Sequence, residues 1–208
     1  MSLLTTWGYT LTETNKLEDM LTVMEFNEFT GDKYVSDQRV EPNIGAASQA
    51  IRNYCGWHVY PSEACRMTTT FFDRRVTFIG NDLLIQLPAK YITAVSRIEI
   101  NGAESTAYVA EPNGLLKVYD VDDTRLREYS PIVVEYTAGL PDELMGSIKE
   151  LASHRITHAL ASSNGIQSET AGGVSITYSA NWTNSARSTA LADDNKEVLE
   201  PYRLQGVF

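Results

Sequence analysis

The chain has 208 residues, of which 43% are hydrophobic, and its formal net charge is -10. This length suits one domain, or a small domain with an inserted one, and the apolar content is enough for a substantial core. The acidic balance argues against a protein that grips nucleic acid through its phosphates, because such binding needs a concentrated patch of Lys and Arg.

Cysteine content and hydropathy indicate the compartment. The two cysteines, Cys55 and Cys65, are too few for a disulfide scaffold and lack C-x-x-C spacing, so a reducing compartment is expected, with one disulfide as the alternative. The N-terminus has neither a basic start nor a sustained apolar run, and no other window is long enough to span a bilayer. We therefore expect a soluble, unsecreted protein with no membrane partner.

The first third of the chain predicts two helices. Asn15 and Glu18 resemble a capping box, and this helix is expected to end before Gly31. Its one-sided apolar stripe consists of Leu17, Met20, Leu21 and Met24. Pro42 restarts a helix that ends at Gly56, a candidate left-handed cap. The apolar face of this second helix consists of Ile44, Ala47, Ile51 and Tyr54.

From about residue 67 to 137 the sequence changes to short β runs separated by turn signals. The best hairpin signal is the Asn101-Gly102 pair, which follows Ile98 and Ile100 in an alternating run. Strands that are grouped between helices predict an α+β fold, here with a small antiparallel sheet or barrel inserted into a helical part.

A strand and the clearest amphipathic helix follow. Ile132, Val134 and Tyr136 alternate with polar or outward positions, and Gly139 ends the strand. Pro141 begins the helix. Its apolar stripe recurs at three- and four-residue spacing and consists of Leu144, Ile148, Leu151, Arg155 or Ile156, and Ala159 or Leu160. We expect this helix to pack against the second helix, with Ile148, Leu151 and Ile51 in the core.

The C-terminal segment is rich in Ser, Thr, Asn and Gly but contains a regular alternation. Val174, Ile176, Tyr178 and Trp182 alternate with polar residues, which predicts a protruding β-arm. A short helix that includes Leu199 closes the chain, and Pro201 and Tyr202 end it.

Motifs for catalysis or metal binding are lacking. His154 and His158 have i, i+4 spacing, but the acid of an H-E-x-x-H motif and a third ligand are missing. The sequence contains no G-x-S-x-G elbow, P-loop or Rossmann fingerprint. We therefore predict no catalytic residue, no cofactor and no metal site.

The order of several weak motifs resembles the head-tail connector, or adaptor, proteins of long-tailed bacteriophages and gene-transfer particles. The resemblance spans roughly residues 40 to 204. The matching stretches are Ala47-x-x-Ala50-Ile51-x-x-Tyr54-Cys55-Gly56-Trp57, Leu87-Pro88, Val95-Ser96-x-Ile98-x-Ile100-Asn101-Gly102, Val134-Glu135-Tyr136-Thr137-Ala138-Gly139, Pro141 and Leu199-x-Pro201-Tyr202-Arg203.

This resemblance implies a bundle of about four helices with an inserted β module and no enzymatic activity. The implied division is 1–65 for the N-terminal helices, 66–139 for the β module, and 140–208 for the long helix, the arm and the last helix. The implied assembly is a virion ring, dodecameric, made in the host cytoplasm beneath the portal protein. Its other partners are the next neck or tail protein and its own copies, with DNA only as passing cargo.

The expected assembly interface combines the arm with the C-terminal end. Its residues are Val174, Ile176, Tyr178, Trp182, Tyr202 and Arg203. Three alternatives stay open: a hydrolase with a scattered active site, a β-sandwich module that binds carbohydrate or peptide, and another particle component such as a tail terminator or a capsid-cementing protein. A deep pocket with convergent titratable groups would favour the hydrolase.

Overall fold

The computed structural model describes residues 2–121, 130–162, 168–171, 174–177 and 193–204. These residues contain four α-helices and two antiparallel sheets besides a separate hairpin, so the fold is α+β, as predicted. The chain divides into two compact units. The β unit comprises residues 1–18, 55–142 and 202–208, and the helical unit comprises residues 19–54 and 143–201.

The helices are α1 (Val23–Thr30), α2 (Val40–Cys55), α3 (Gly146–Ser162) and α4 (Asp193–Leu199). Short 3-10 turns cover Asp142–Leu144 and Glu200–Tyr202. The strands are β1 (Leu3–Leu4), β2 (Thr10–Leu11), β3 (Glu63–Thr70), β4 (Val76–Ile79), β5 (Asp82–Gln86), β6 (Ile92–Ile100), β7 (Ala103–Glu104), β8 (Tyr108–Ala110), β9 (Leu115–Val118), β10 (Pro131–Ala138), β11 (Ser168–Ala171) and β12 (Val174–Thr177).

The larger sheet of the β unit has the order β1-β2-β3-β10-β6-β7 and is antiparallel throughout. Strand β10 lies near its centre, and Val134 stands opposite Met67 on one side and Ile98 on the other. All three side chains are buried. The alternation that predicted a strand at Ile132–Tyr136 therefore reflects a central strand with one face in the core.

The smaller sheet has the order β4-β5-β9-β8. The buried part of its inner face is apolar and consists of Val76, Leu83, Ile85, Leu116 and Val118. The predicted β module thus contains two sheets. The larger of them also contains β1 and β2 from the N-terminal region, for which the sequence predicted helices only.

Gly139 ends β10 at a position that only glycine can occupy. Its φ is 145°, and an added Cβ would lie 2.4 Å from the Cα of Ser62 and 2.5 Å from the carbonyl oxygen of Pro61. Both obstacles are backbone atoms, which cannot swing away as a flexible side chain would. The close approach of two chain segments therefore explains the glycine that the sequence placed at the end of this strand.

The helical unit begins later than the sequence predicted. The capping box is formed by Thr22 and Glu25, so α1 starts at Val23, whereas the predicted box at Asn15 and Glu18 does not begin a helix. The Thr22 hydroxyl accepts from the Glu25 amide, and the Glu25 carboxylate accepts from the Thr22 amide at 2.8 Å. Two amides that the helix cannot pair are satisfied in this way.

Helix α2 matches its prediction closely. It ends at Cys55, and Gly56 follows in the left-handed conformation with φ 77°. Helix α3 starts at Gly146, after the 3-10 turn that occupies the predicted first turn. Its residues Ile148 and Leu151 are buried, as predicted, and so is Ile51 on α2.

Helix α3 approaches two other helices of the helical unit, α1 and α4. Its predicted packing against α2 stays a prediction. Lys149 of α3 also forms an ion pair of 2.6 Å with Glu25 of α1. Burial alone would raise the pKa of Glu25, but hydrogen bonds from Lys149 and Thr22 hold it below its ordinary value. This pairing of helices distant in sequence is not visible in apolar periodicity. The three-segment division 1–65, 66–139 and 140–208 stays a prediction.

Candidate assembly interface

The C-terminal residues Tyr202–Leu204, here called the C-terminal anchor, are tied into the β unit. The indole nitrogen of Trp57 donates to the carbonyl oxygen of Tyr202 at 2.7 Å. The Leu204 amide donates to the carbonyl oxygen of Cys55 at 2.9 Å. Trp57 is fully buried and Leu204 is 8% exposed, so the anchor covers the residues that follow α2.

Two tyrosine rings extend this contact. The ring centroids of Tyr91 and Tyr202 lie 6.1 Å apart, within the distance at which aromatic rings attract each other. The Tyr202 side chain is half-buried, and Arg203 is exposed. Tyr202 therefore makes contacts within its own chain. The sequence predicted only a contact between chains for this residue.

The predicted interface residues are distributed over two places. Val174 and Ile176 lie in β12, which pairs with β11 as a hairpin in the helical unit. Tyr178 and Trp182 lie outside the described residues. Tyr202 and Arg203 belong to the C-terminal anchor in the β unit.

The hairpin changes the description of the arm. Ile176 stands opposite Glu169, and Val174 stands opposite Ala171. The sequence predicted a single protruding strand, because Ser168–Ala171 has no apolar alternation. Among the described strands, no third strand joins β11 and β12.

A buried polar cluster, which the sequence did not predict, lies near the C-terminal anchor. His58 is fully buried, and its Nε2 lies 2.9 Å from the carbonyl oxygen of Ala138. Since a carbonyl only accepts, Nε2 donates to it, and Nδ1 lies 2.6 Å from the Tyr9 hydroxyl oxygen. The cluster connects Tyr9, directly before β2, with His58 after α2 and with the end of β10. A lone histidine beside a tryptophan gives no signal of this in sequence.

A second polar cluster fixes the turn between β3 and β4. The Asp73 carboxylate accepts from the Arg75 guanidinium at 2.6 Å and from the Thr69 hydroxyl at 2.8 Å. These hydrogen bonds, above all those from Arg75, hold the pKa of Asp73 well below its usual range. The two charges therefore pair with each other within the turn.

Among the described residues, the pocket and the candidate metal ligands have the following geometry. A shallow depression of about 550 Å³ is lined by the single loop 32–38. Its Asp37 is held by Arg39, whose hydrogen bonds lower the pKa of Asp37 to about 2. Nowhere in the described ranges do three metal-ligating side chains come together, and His154 lies 3.8 Å from Glu150 as a surface pair. Within the same ranges, no helix is both long and apolar enough to cross a membrane.

Comparison with known proteins gives the family. A family model described as head completion protein matches residues 19–204. A chain from a structure described as the neck of an empty GTA particle, computed with C6 symmetry, has 16% identity and a TM-score of 0.45, over 92% of this chain and 99% of that chain. No curated protein matches. The family match agrees with the resemblance inferred from the order of sequence motifs. Since it covers most of the sequence, the chain belongs to the head completion protein family.

Proposed function

We propose that this protein is a head-tail adaptor, a structural virion protein that forms a ring under the portal and links the capsid vertex to the neck and tail. The observation that carries the proposal is the head completion family match over residues 19–204. A ring at this position lines the channel through which DNA leaves the capsid. Its partners are the portal protein, the next neck or tail protein and its own copies in a ring of twelve, assembled in the host cytoplasm.

The charge of the chain supports a channel role. DNA must slide through such a ring without adhering to it. A chain with a net charge of -10 repels phosphates and does not provide the dense cationic surface that retains DNA. DNA is then cargo and not a ligand, and the protein works without enzymatic activity.

The hairpin and the C-terminal end are the proposed contacts with other subunits. An isolated two-stranded hairpin is only marginally stable in water, so β11 and β12 gain stability when a further strand or surface covers them. The side chains assigned to this contact are Val174, Ile176, Tyr178, Trp182, Tyr202 and Arg203. Arg203 is exposed at this end of the chain.

The test is to make particles in cells that lack this protein. An adaptor is required for joining, so these cells should yield separate heads and tails, with heads that lose their DNA. In complete particles from cells that do make the protein, we expect cryo-electron microscopy to show it below the portal. Density for the protein on the capsid surface would instead identify a cementing protein. Density at the tail end of the neck would identify a tail terminator, and either result would refute the adaptor role.

A further inference from the structure

Most strand edges in the β unit are short or obstructed. Strands β1 and β7, at the ends of the larger sheet, have two residues each. Strand β6 reaches beyond β7, but its pairing with β10 contains two register shifts. The carbonyl oxygen of Val95 on β6 also accepts a hydrogen bond of 2.9 Å from the Tyr108 hydroxyl. Bulges and side-chain caps of this kind prevent further strands from pairing with an edge.

Strand β4 forms an edge without these obstructions. It forms one edge of the smaller sheet, and its sequence Val76–Ile79 contains no charge and no proline. Its last three residues are exposed, with Ile79 at 62% and Phe78 at 37%. Phe78 also stacks on Phe71 at 5.4 Å, which keeps an apolar ring at the edge. An exposed apolar edge without a blocking charge is a template for another strand.

The β11–β12 hairpin has the complementary property. Its strands have four residues each, the same length as β4, and no other described strand pairs with them. Strand β11 carries Glu169, whereas β12 (Val174–Thr177) is uncharged, like β4. A strand that needs a neighbour and an edge that lacks one are therefore present in the same chain, in different units.

We propose that β12 of one copy pairs with β4 of the adjacent copy and extends the smaller sheet by the hairpin. This inference rests on the proposed ring, because a contact between two different surfaces of identical subunits closes into a ring when the rotation allows. Main-chain hydrogen bonds supply the attraction, and the apolar residues on both strands supply the burial. The same pairing covers the exposed edge that β4 forms in the smaller sheet.

Cysteine cross-linking tests the pairing in assembled particles. Thr77→Cys is combined with Ser175→Cys and, separately, with Thr177→Cys, so that two registers are sampled. We expect a ladder of covalent dimers and larger species for at least one pair after oxidation, since a disulfide needs Cα atoms about 4.4 to 6.8 Å apart. The native Cys55 and Cys65 are buried and add little background.

The matched control places the first cysteine on the opposite edge of the same sheet. Val109→Cys is 50% exposed in β8 and should give no ladder with either hairpin cysteine. Two results would overturn the pairing. In one, oxidation gives no product but a monomer with an internal disulfide. In the other, particles that contain the double-cysteine protein form no disulfide.

A second variant separates this inference from the adaptor role. Thr77→Lys adds a charge to the edge without touching the buried face, so its melting temperature should match wild type while entry into particles falls at least tenfold. Val109→Lys should enter normally. If Thr77→Lys assembles as wild type does while loss of the whole protein still separates heads from tails, the pairing is wrong and the adaptor role stands.

Discussion

The indole nitrogen of Trp57 hydrogen-bonds the carbonyl oxygen of Tyr202, which lies 145 residues later in the chain. This contact joins two of the weak motifs that suggested the family, the Cys55-Gly56-Trp57 stretch and the Pro201-Tyr202-Arg203 stretch. Their order along the sequence thus has a structural basis within one unit. A buried indole N–H needs an acceptor, and the chain end supplies it.

Removal of this hydrogen bond should destabilise the protein measurably. In Trp57→Phe an aromatic ring remains but the donor is lost, so the free energy of unfolding should fall by about 1 to 3 kcal/mol. Denaturant unfolding measures the change. Trp7→Phe is the control, because the half-buried Trp7 ring stacks on Tyr9 and a phenyl ring preserves that stacking. Equal losses in the two variants would show that ring volume, not the hydrogen bond, matters.

Leu151→Ala should reveal the core of the helical unit. Leu151 is 6% exposed, and truncation of a buried leucine costs about 2 to 5 kcal/mol. We expect a clearly lower melting temperature by calorimetry. The control is Leu144→Ala, at a side chain 45% exposed, which should change stability far less. An unchanged melting temperature in Leu151→Ala would contradict the placement of α3.

The Asp73–Arg75 pair predicts part of the acid sensitivity. The folded-state pKa of Asp73 is depressed by Arg75, so its contribution is fully present above the unfolded pKa of about 3.9 and is lost as pH falls through the lower folded value. Asp73→Asn should therefore be less stable than wild type at pH 7, and the difference should shrink between about pH 5 and pH 2. Urea unfolding at several pH values measures it. A difference independent of pH would exclude the ionised pair as the cause. The exposed Asp142→Asn is the control.

Both cysteines should resist thiol reagents in the folded protein. Cys55 and Cys65 are buried and form no disulfide with each other. Burial, with Glu63 nearby, raises the pKa of Cys65 to about 12, so its thiolate is scarce at neutral pH. Labelling followed by mass spectrometry should give no adduct on the native protein and two adducts after denaturation. Rapid native labelling at Cys65 would show that β3 opens readily.

Ile176→Pro tests the hairpin itself. Proline removes a backbone donor from β12, so the pairing of the hairpin strands should be lost, while the four helices and the two sheets keep their contacts. We expect an unfolding free energy within about 0.5 kcal/mol of wild type and a protein absent from purified particles. Ile176→Val, which keeps the donor and the β propensity, should assemble. Normal assembly of the proline variant would remove the hairpin from the interface.

Sequence periodicity predicted the elements whose stabilising contacts are local or repeat along the chain. The cap at Gly56, the buried residues Ile148 and Leu151, and the central strand around Val134 all follow from such patterns. The start of α1 was misplaced because Asn15–Glu18 and Thr22–Glu25 have the same capping spacing. Only the fold shows which of the two precedes a helix.

The candidate interface was less predictable because its contacts do not follow from a local sequence pattern. The pairing of β11 with β12 depends on backbone hydrogen bonds, and Ser168–Ala171 has no apolar alternation to reveal it. The exposed edge of β4 results from the strand order of a sheet, which no single segment encodes. The hydrogen bond between Trp57 and Tyr202 joins residues too far apart for any local pattern to connect them.

The C-terminal anchor also determines when the β unit can finish folding during protein synthesis. Trp57 emerges from the ribosome long before its acceptor, since Tyr202 is translated 145 residues later. The β unit therefore cannot complete its packing before Tyr202 has been synthesised, and a chain that terminates earlier leaves a buried donor without its acceptor. Completion of the β unit thus requires synthesis through Tyr202, and a product truncated before this residue is less stable.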